Sequence, residues 1–280
     1  MLSLIVPSHR NDSLKRKLES LKEQSLPASE FEVLVVILES EAEGLEALRS
    51  SWPFQLRTVL IPDDTATNKH IVSLKRNWGT KGASSNLYMF TDDDVFHTKD
   101  CLKTFADFFK TGFRGIATCD LRFESGAIFR LGSETETINN VRWMQLSSSL
   151  AVMDKGTFEK VGTFKENFRE RGEDVDYGYR AKQAGVAMKR LAGDWAVHEG
   201  APRNDFATGK SSGYGAYLSA QAHDQAYALA LGVHPFSLLL KSLAFRARLS
   251  RLFTTTYYKE YERGYLAGAL EARREAGGRR

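Results

Sequence analysis

The stretch NLYMFTDDDVFHTKD, Asn86 to Asp100, decides how the rest of the chain is read. Leu87 to Thr91 has the length and composition of a buried strand, and three carboxylates, Asp92, Asp93 and Asp94, follow it at once. Carboxylates two residues apart lie roughly 6 to 7 Å from each other and, at an effective dielectric of about 20, repel by about 2 to 3 kcal/mol. A solvated loop tip screens most of that repulsion. A loop at the mouth of a sheet does not, unless a cation sits there. Both readings stay open on this stretch alone.

On the N-terminal side, strands and helices alternate. Leu2 to Val6, Phe31 to Leu38 (FEVLVVIL) and Phe54 to Ile61 read as strands. Asn11-Asp12-Ser13 offers helix caps ahead of Leu14, Leu18 and Leu21. Glu41 to Arg49 and Ile71 to Gly82 are two more helices. This alternation predicts βαβ units and a mainly parallel sheet. Beyond the aspartates, Lys99 to Lys110 is an amphipathic helix. Gly115 to Leu131 reads as two strands around Glu124-Ser125-Gly126. Ser147 to Met153 is a strand and Lys155 to Val161 a short helix. RERGEDVDYGYRAKQAG (Arg169 to Gly185) is a helix closed by glycine, followed by a strand through Met188 and Leu191 and by the segment DWAVHEG. From Tyr217 onward the pattern is helical.

Composition narrows the class. The 280 residues, 42% hydrophobic and 26% charged, are enough for one large or two small globular domains. The net charge of +4 is mild, with its basic excess after about Leu240, and gives no ground for a nucleic-acid partner. Cys101 and Cys119 lack metal-ligand spacing and are too few for a disulfide framework, which points to small core residues in a reducing, cytoplasmic compartment. The N-terminal apolar run is too short for a signal peptide, and no apolar run is expected to approach the ~20 residues that span a bilayer.

In open α/β sheets, ligands bind beyond the carboxyl ends of the strands. Pro7-Ser8-His9-Arg10, Glu39-Ser40-Glu41 and Asp92-Asp93-Asp94 all fall at such ends. Hard carboxylate oxygens suit Mg²⁺ or Mn²⁺, which engage one or two carboxylates together with substrate phosphates. Arg76, on the helix before the aspartate strand, has the planar fork that grips phosphate. A second acidic pair, Glu173-Asp174, opens the helix in GEDVDYGYR. Its plain alternative is stabilisation of the helix N-terminus, worth about 0.3 to 1 kcal/mol. Asp176 stands four residues before Arg180, the spacing of an ordinary helical ion pair. His198 follows an apolar strand and precedes Glu199-Gly200, a loop-like setting that suits a ligand better than a core position does.

Taken in order, LIVPSHR, VVILES, LKRNWGTKGASSNLYMFTDDDVF and SSSLAVMDKGTFEKVGTFKENFRERGEDVDYGYRAKQAG resemble a family 2 glycosyltransferase with the GT-A fold, over about Leu2 to Gly200. The resemblance implies a Rossmann-like, mostly parallel mixed sheet with helices on both faces. It assigns residues 1–200 to the catalytic domain, with a nucleotide-binding half at about 1–95 and an acceptor half at 96–200, and leaves 201–280 as a helical C-terminal extension. It implies transfer of a hexosyl or N-acetylhexosaminyl group from a nucleotide-diphosphate sugar, most simply a UDP-sugar, to a hydroxyl acceptor with inversion. The acceptor would be a saccharide, a lipid-linked molecule or another alcohol. Pro7 and Ser8 would line the nucleotide pocket. Glu39 stands where the family usually has an aspartate at the base or ribose, a departure that bears on uridine preference. Arg76 matches an arginine near the ribose or diphosphate. Asp92 and Asp94 form the DxD pair, with Asp94 on the metal, Asp92 on ribose or metal, and Asp93 counted among the donor contacts. Asp174 matches the general base, His198 a histidine that completes the metal site in some members, and Arg180 a structural arginine.

Two other functions compete with this reading. A sugar-phosphate nucleotidyltransferase would use the aspartates on an NTP, but such enzymes carry a Gly-rich loop after the first strand and VPSHRND has no glycine. A non-catalytic sugar- or nucleotide-binding module has no reason to keep Asp92, Asp94, Asp174 and His198 together. Phe236 to Phe253 (FSLLLKSLAFRARLSRLF) reads as a basic amphipathic helix, packed on the catalytic domain, in peripheral contact with an anionic membrane at its inner face, or in contact with a partner. Trp143, Trp195 and Tyr214, Tyr217, Tyr257, Tyr258 and Tyr261 suit either sugar stacking or ordinary packing.

Overall fold

The computed structural model describes residues 1–42, 52–129, 137–138, 141–142, 146–203, 205–246 and 259–277. These fall into two compact units, one of residues 1–134, 144–166 and 177–201, the other of residues 135–143, 167–176 and 202–280.

The first unit is built on a single sheet. β1 (Leu2–Pro7) lies between β2 (Phe31–Leu38) and β4 (Leu87–Thr91), parallel to both, and β3 (Gln55–Ile61) runs parallel to β2. Beyond β4 the sheet becomes mixed. β10 (Leu150–Asp154) pairs antiparallel with β4 and with β6 (Ile116–Phe123), and β11 (Met188–His198) runs parallel to β6. The three-residue β5 (Val95–His97) closes the edge antiparallel to β11, and β7 (Ile128–Phe129) pairs with β6.

Period-two alternation assigns the strand side chains to two cores. Leu2, Leu4, Val6, Val33, Val35 and Met89 face one side. There they meet Leu14, Leu18 and Leu21 of α1 (Asn11–Lys22) and Leu102, Phe105 and Phe109 of α3 (Cys101–Lys110). Ile5, Val36, Phe90, Ala151 and Met153 face the other, against Leu74 of α2 (Ile71–Gly82), Phe158 of α4 (Lys155–Val161) and Tyr177 and Ala181 of α5 (Glu173–Gln183). Cys101 and Cys119 are buried free thiols. Trp195 packs its ring against the first core and donates its indole N–H to the Ala192 carbonyl (2.9 Å).

The second unit holds the hairpin of β8 (Thr137–Ile138) and β9 (Val141–Arg142) and the helices α6 (Phe206–Gln221), α7 (Gln225–Ala230), α8 (Pro235–Arg246) and α9 (Lys259–Gly277). Its main feature is the close approach of α6 and α9. A Cβ on Gly213 would lie 1.9 Å from the Tyr265 carbonyl oxygen, and one on Gly268 1.9 Å from that of Lys210. Tyr214 donates to Glu275 (2.7 Å) and Tyr217 is buried.

Several expectations need correction. Arg10, not an Asn/Asp/Ser side chain, occupies the N-cap of α1, and it makes no side-chain cap bond. Ser13 instead donates to Glu199 (2.8 Å). DWAVHEG is not separate from the strand before it: β11 continues to His198 through irregular pairing between Leu191 and Ala196. Helix begins at Phe206, well before Tyr217, because Asp205 caps it by accepting from Thr208 N–H (2.7 Å). Tyr227–Phe245 is long and apolar enough, by length and composition, to cross a membrane, contrary to the sequence reading. Its helix is interrupted between Ala230 and Pro235, where Gly232 takes φ 67°. Most of the expected helix over Glu41 to Arg49, together with Trp143, Tyr257, Tyr258 and the end of the 236–253 segment, lies outside the described residues.

Candidate active site

The aspartates occupy the carboxyl end of β4, next to that of β1, where parallel pairing brings the loop after Pro7 alongside them. Asp93 turns inward and is almost fully buried. It accepts from Ser8 Oγ (2.9 Å), from the His9 amide (3.4 Å) and from Arg10 Nη2 (2.7 Å). The central carboxylate therefore braces the β1 loop. Ser8, 1% exposed, is held from both sides: its hydroxyl serves Asp93, and its carbonyl accepts from Lys75 Nζ (2.6 Å).

Asp92 and Asp94 have further partners of their own. Asp92 accepts from Arg76 Nη2 (3.0 Å) and Ser149 Oγ (2.8 Å). Burial alone would raise its pKa. The Arg76 charge and these hydrogen bonds outweigh that, so the carboxyl is held below its ordinary value and stays ionised. Arg76 is itself buried, with its guanidinium over the Phe164 ring, and in this structure its fork grips a carboxylate. Asp94 lies 2.7 Å from Arg10 Nη2 and 3.8 Å from His198 Nε2. Arg10 thus bridges Asp93 and Asp94. Burial works against its charge, but the two aspartates more than offset it and raise its pKa.

His198 reaches Asp94 through the short strand that sequence reading passed over. β5 begins one residue after Asp94, and its antiparallel register sets Val95 opposite His198. The Glu199 amide then donates to the Asp94 carbonyl (2.8 Å). Glu199 and Glu124 are tied to Arg16 of α1 (2.7 and 2.6 Å), which secures this end of β11. The His198 Nδ1 atom lies 2.9 Å from the Glu199 carbonyl oxygen, which can only accept, so Nδ1–H donates there and Nε2 is the ring nitrogen on the side of Asp94.

This chemistry fits a divalent cation. A carboxylate and an imidazole with its second nitrogen already oriented are a recurring ligand pair. Among the described residues no group of three or more His, Cys, Asp or Glu side chains is gathered to hold an ion unaided. Asp94 and His198, with Asp92 beside them, match an ion that takes its remaining ligands from substrate phosphate and water.

Pro7 ends β1. Glu39 is exposed on the turn after β2, and it is Glu41, two residues on, that pairs with Lys75 (2.6 Å). Asp174 belongs to the second unit, on the first turn of α5, where it accepts from the Val175 amide (2.8 Å). Asp176, in the same unit, pairs with the buried His223 (2.8 Å). In the first unit, Arg180 donates to the carbonyls of Val161 and Thr163 (2.8 and 2.9 Å), a structural role. Arg10 falls in the Pro7-Ser8-His9-Arg10 group at a strand end, whereas Lys75 and Ser149 have no sequence motif of their own. The only signal for them is position, each lying beside a strand's carboxyl end or on the helix that packs there.

Sheet order and cluster together define a GT-A glycosyltransferase fold. Residues 3–176 match the profile of Glycosyl transferase family 2, and the chain belongs to that family. A curated relative, the O-antigen biosynthesis protein RfbC of Myxococcus xanthus, is 26% identical over 224 residues; the match covers 70% of this chain but only 17% of RfbC. Among solved structures, S. aureus TarS 1-349 in complex with UDP-GlcNAc superposes with a TM-score of 0.63 at 18% identity, covering 97% of this chain and 81% of that one. The mannosyltransferase PcManGT of Pyrobaculum calidifontis, in complex with GDP-Man and Mn²⁺, gives 0.64 at 16% identity, covering 98% and 86%.

Proposed function

We propose that this chain moves a hexosyl or N-acetylhexosaminyl group from a UDP-sugar to a hydroxyl acceptor with inversion at the anomeric carbon. The observation that carries the reading is the facing pair Asp94 and His198, with Asp92 held ionised beside them at the carboxyl ends of the strands. These residues would hold Mn²⁺ or Mg²⁺. A bound divalent ion supplies Lewis-acid stabilisation to the leaving diphosphate. The Ser8 loop, fixed by Asp93 and Lys75, shapes the nucleotide side of the cleft, with Pro7 and Glu39 flanking it. Asp174 accepts the proton of the attacking hydroxyl. A single displacement with one base inverts the centre.

The acceptor we favour is a saccharide or lipid-linked saccharide, in keeping with the name of the RfbC relative. We place the protein in the cytoplasm, at the inner face of the membrane. Phe236, Leu239, Leu240 and Leu243 of α8 are all more than 40% exposed at spacings of three and four, while Leu238 is buried. That face suits shallow insertion at a lipid surface. Flotation with anionic and neutral liposomes tests the contact: loss of binding in a Leu239→Ser/Leu243→Ser variant supports it, and no binding by the wild type removes it.

The function itself is tested by incubating the protein with UDP-GlcNAc, UDP-glucose and GDP-mannose in Mn²⁺ or in EDTA and measuring nucleotide release. Mn²⁺-dependent release of UDP is expected. Release of pyrophosphate from an NTP and a sugar phosphate would overturn the reading in favour of nucleotidyl transfer.

A further inference from the structure

α1 turns its apolar stripe toward the sheet, yet one position on that buried face is a lysine. Lys17 is 0% exposed, between Leu14, Leu18 and Leu21. Its amine lies directly beneath the aspartate turn. It donates to Thr91 Oγ1 (2.6 Å) and to the Val95 carbonyl (2.5 Å), and it lies 3.4 Å from both the Asp92 carbonyl and His97 Nε2. Thr91 is the last residue before the three aspartates and Val95 the first after them, so the bonds clamp both ends of the turn. Burial pushes the Lys17 pKa down to about 7, opposed in part by Cys101 and the three aspartates. An apolar side chain would fill this position without that desolvation, so the amine is retained for what it holds.

We infer that Lys17 is a positioning residue for the donor site: by tying Thr91 Oγ1 and the Asp92 and Val95 carbonyls to α1, it fixes the directions in which Asp92 and Asp94 project. The inference rests on the reading of those aspartates as the site of a divalent ion and nucleotide diphosphate. The turn's other backbone bonds do not come from α1: the Glu199 amide donates to the Asp94 carbonyl (2.8 Å). The Val95 amide donates back to the Asp92 carbonyl (3.3 Å), and the Asp92 amide reaches the Ser149 carbonyl at 3.4 Å. Without the Lys17 amine, the turn keeps its carboxylates and their side-chain partners but loses the tie that sets its backbone against α1. The consequence is weaker capture of the ion and diphosphate together, with nucleotide contacts that do not use the ion left intact.

The test is calorimetric titration of UDP and of GDP into the full chain, in Mn²⁺ and in EDTA, for wild type and Lys17→Met, with circular dichroism and a melting curve as controls for folding. The gain in affinity brought by Mn²⁺ is the readout, because a residue that only stabilises the core lowers the melting temperature without changing that ratio in the folded protein. For Lys17→Met the Mn²⁺ gain is expected to fall at least tenfold, with affinity in EDTA within about twofold of wild type. A folded variant that keeps the wild-type gain overturns the inference and leaves the site reading standing. A wild-type protein with no Mn²⁺ gain overturns both. Should Lys17→Met not fold, Thr91→Val removes one acceptor without changing shape. It is expected to reduce the gain about threefold, and Thr91→Ser to restore it; a Thr91→Val protein with an unchanged gain overturns the inference equally.

Discussion

His198 presents Nε2 3.8 Å from Asp94 Oδ1 because β5 and β11 pair antiparallel with Val95 opposite His198, which makes the two side chains neighbours across a strand pair. Their closeness is a matter of register, and a slip of one residue would turn His198 to the other face of the sheet.

From this pairing, Asp94→Ala and His198→Ala are each expected to weaken Mn²⁺-dependent UDP or GDP binding by about tenfold or more, roughly 1.4 kcal/mol or above. Binding in EDTA should change little. Titration calorimetry in both conditions checks this, and equal losses with and without the ion would show that neither side chain is a ligand.

Asp174→Asn keeps the shape of the side chain and removes its basicity. Positioned general bases contribute about 10² to 10⁴ in rate. Transfer should fall by a factor in that range, while the donor KM and Mn²⁺-dependent nucleotide affinity stay near wild type. Steady-state kinetics with a competent acceptor decide the matter; normal turnover would assign the base elsewhere.

Glu32 is a carboxylate inside the apolar strand FEVLVVIL, fully buried, accepting from Ser3 Oγ (2.6 Å), the Ser84 amide (2.6 Å) and Arg57 (3.2 Å). Burial would raise its pKa, but these donors together lower it. Because the folded pKa lies below the unfolded one, the unfolded chain binds more protons. The stability contribution is complete above the unfolded value and is lost as pH falls through it toward the folded one. Glu32→Gln is expected to cost about 1 to 3 kcal/mol at pH 7, with a shallower loss of stability than wild type between pH 5 and pH 3 in urea melts. Parallel acid profiles would refute the assignment.

Gly213→Val is expected to destabilise the second unit. Gly→Ala in a helix normally gains about 1 kcal/mol of propensity. Here any Cβ meets the Tyr265 carbonyl at 1.9 Å, a backbone atom that cannot rotate away, so α6 and α9 must separate. Overpacking of this kind costs about 1 to 3 kcal/mol, and the more compact Gly213→Ala should already lower the melting temperature. A rise would mean that the helices do not meet as described.

What the sequence determined by itself was local and periodic. The strands at Leu2, Phe31 and Leu87 are near-continuous apolar runs, buried on both faces, and could be read locally, as could the helix Ile71–Gly82. The order of motifs from LIVPSHR to GEDVDYGYR pointed to the family that the profile match then showed. Tertiary structure decided which polar groups meet. Asp92, Asp93 and Asp94 are chemically identical in sequence, yet in the fold Asp93 meets Ser8, Asp92 meets Arg76, Asp94 faces His198, and Arg10 bridges Asp93 and Asp94. Lys17 and Glu32 were unreadable for a related reason. A charge within an apolar pattern looks like a break in it until the partners arrive from distant strands, and β5 was too short for any period to register. The close pairing of α6 with α9 through Gly209, Gly213, Gly264 and Gly268 likewise became visible only in space, because a glycine's missing side chain has meaning only once another backbone occupies the room it leaves.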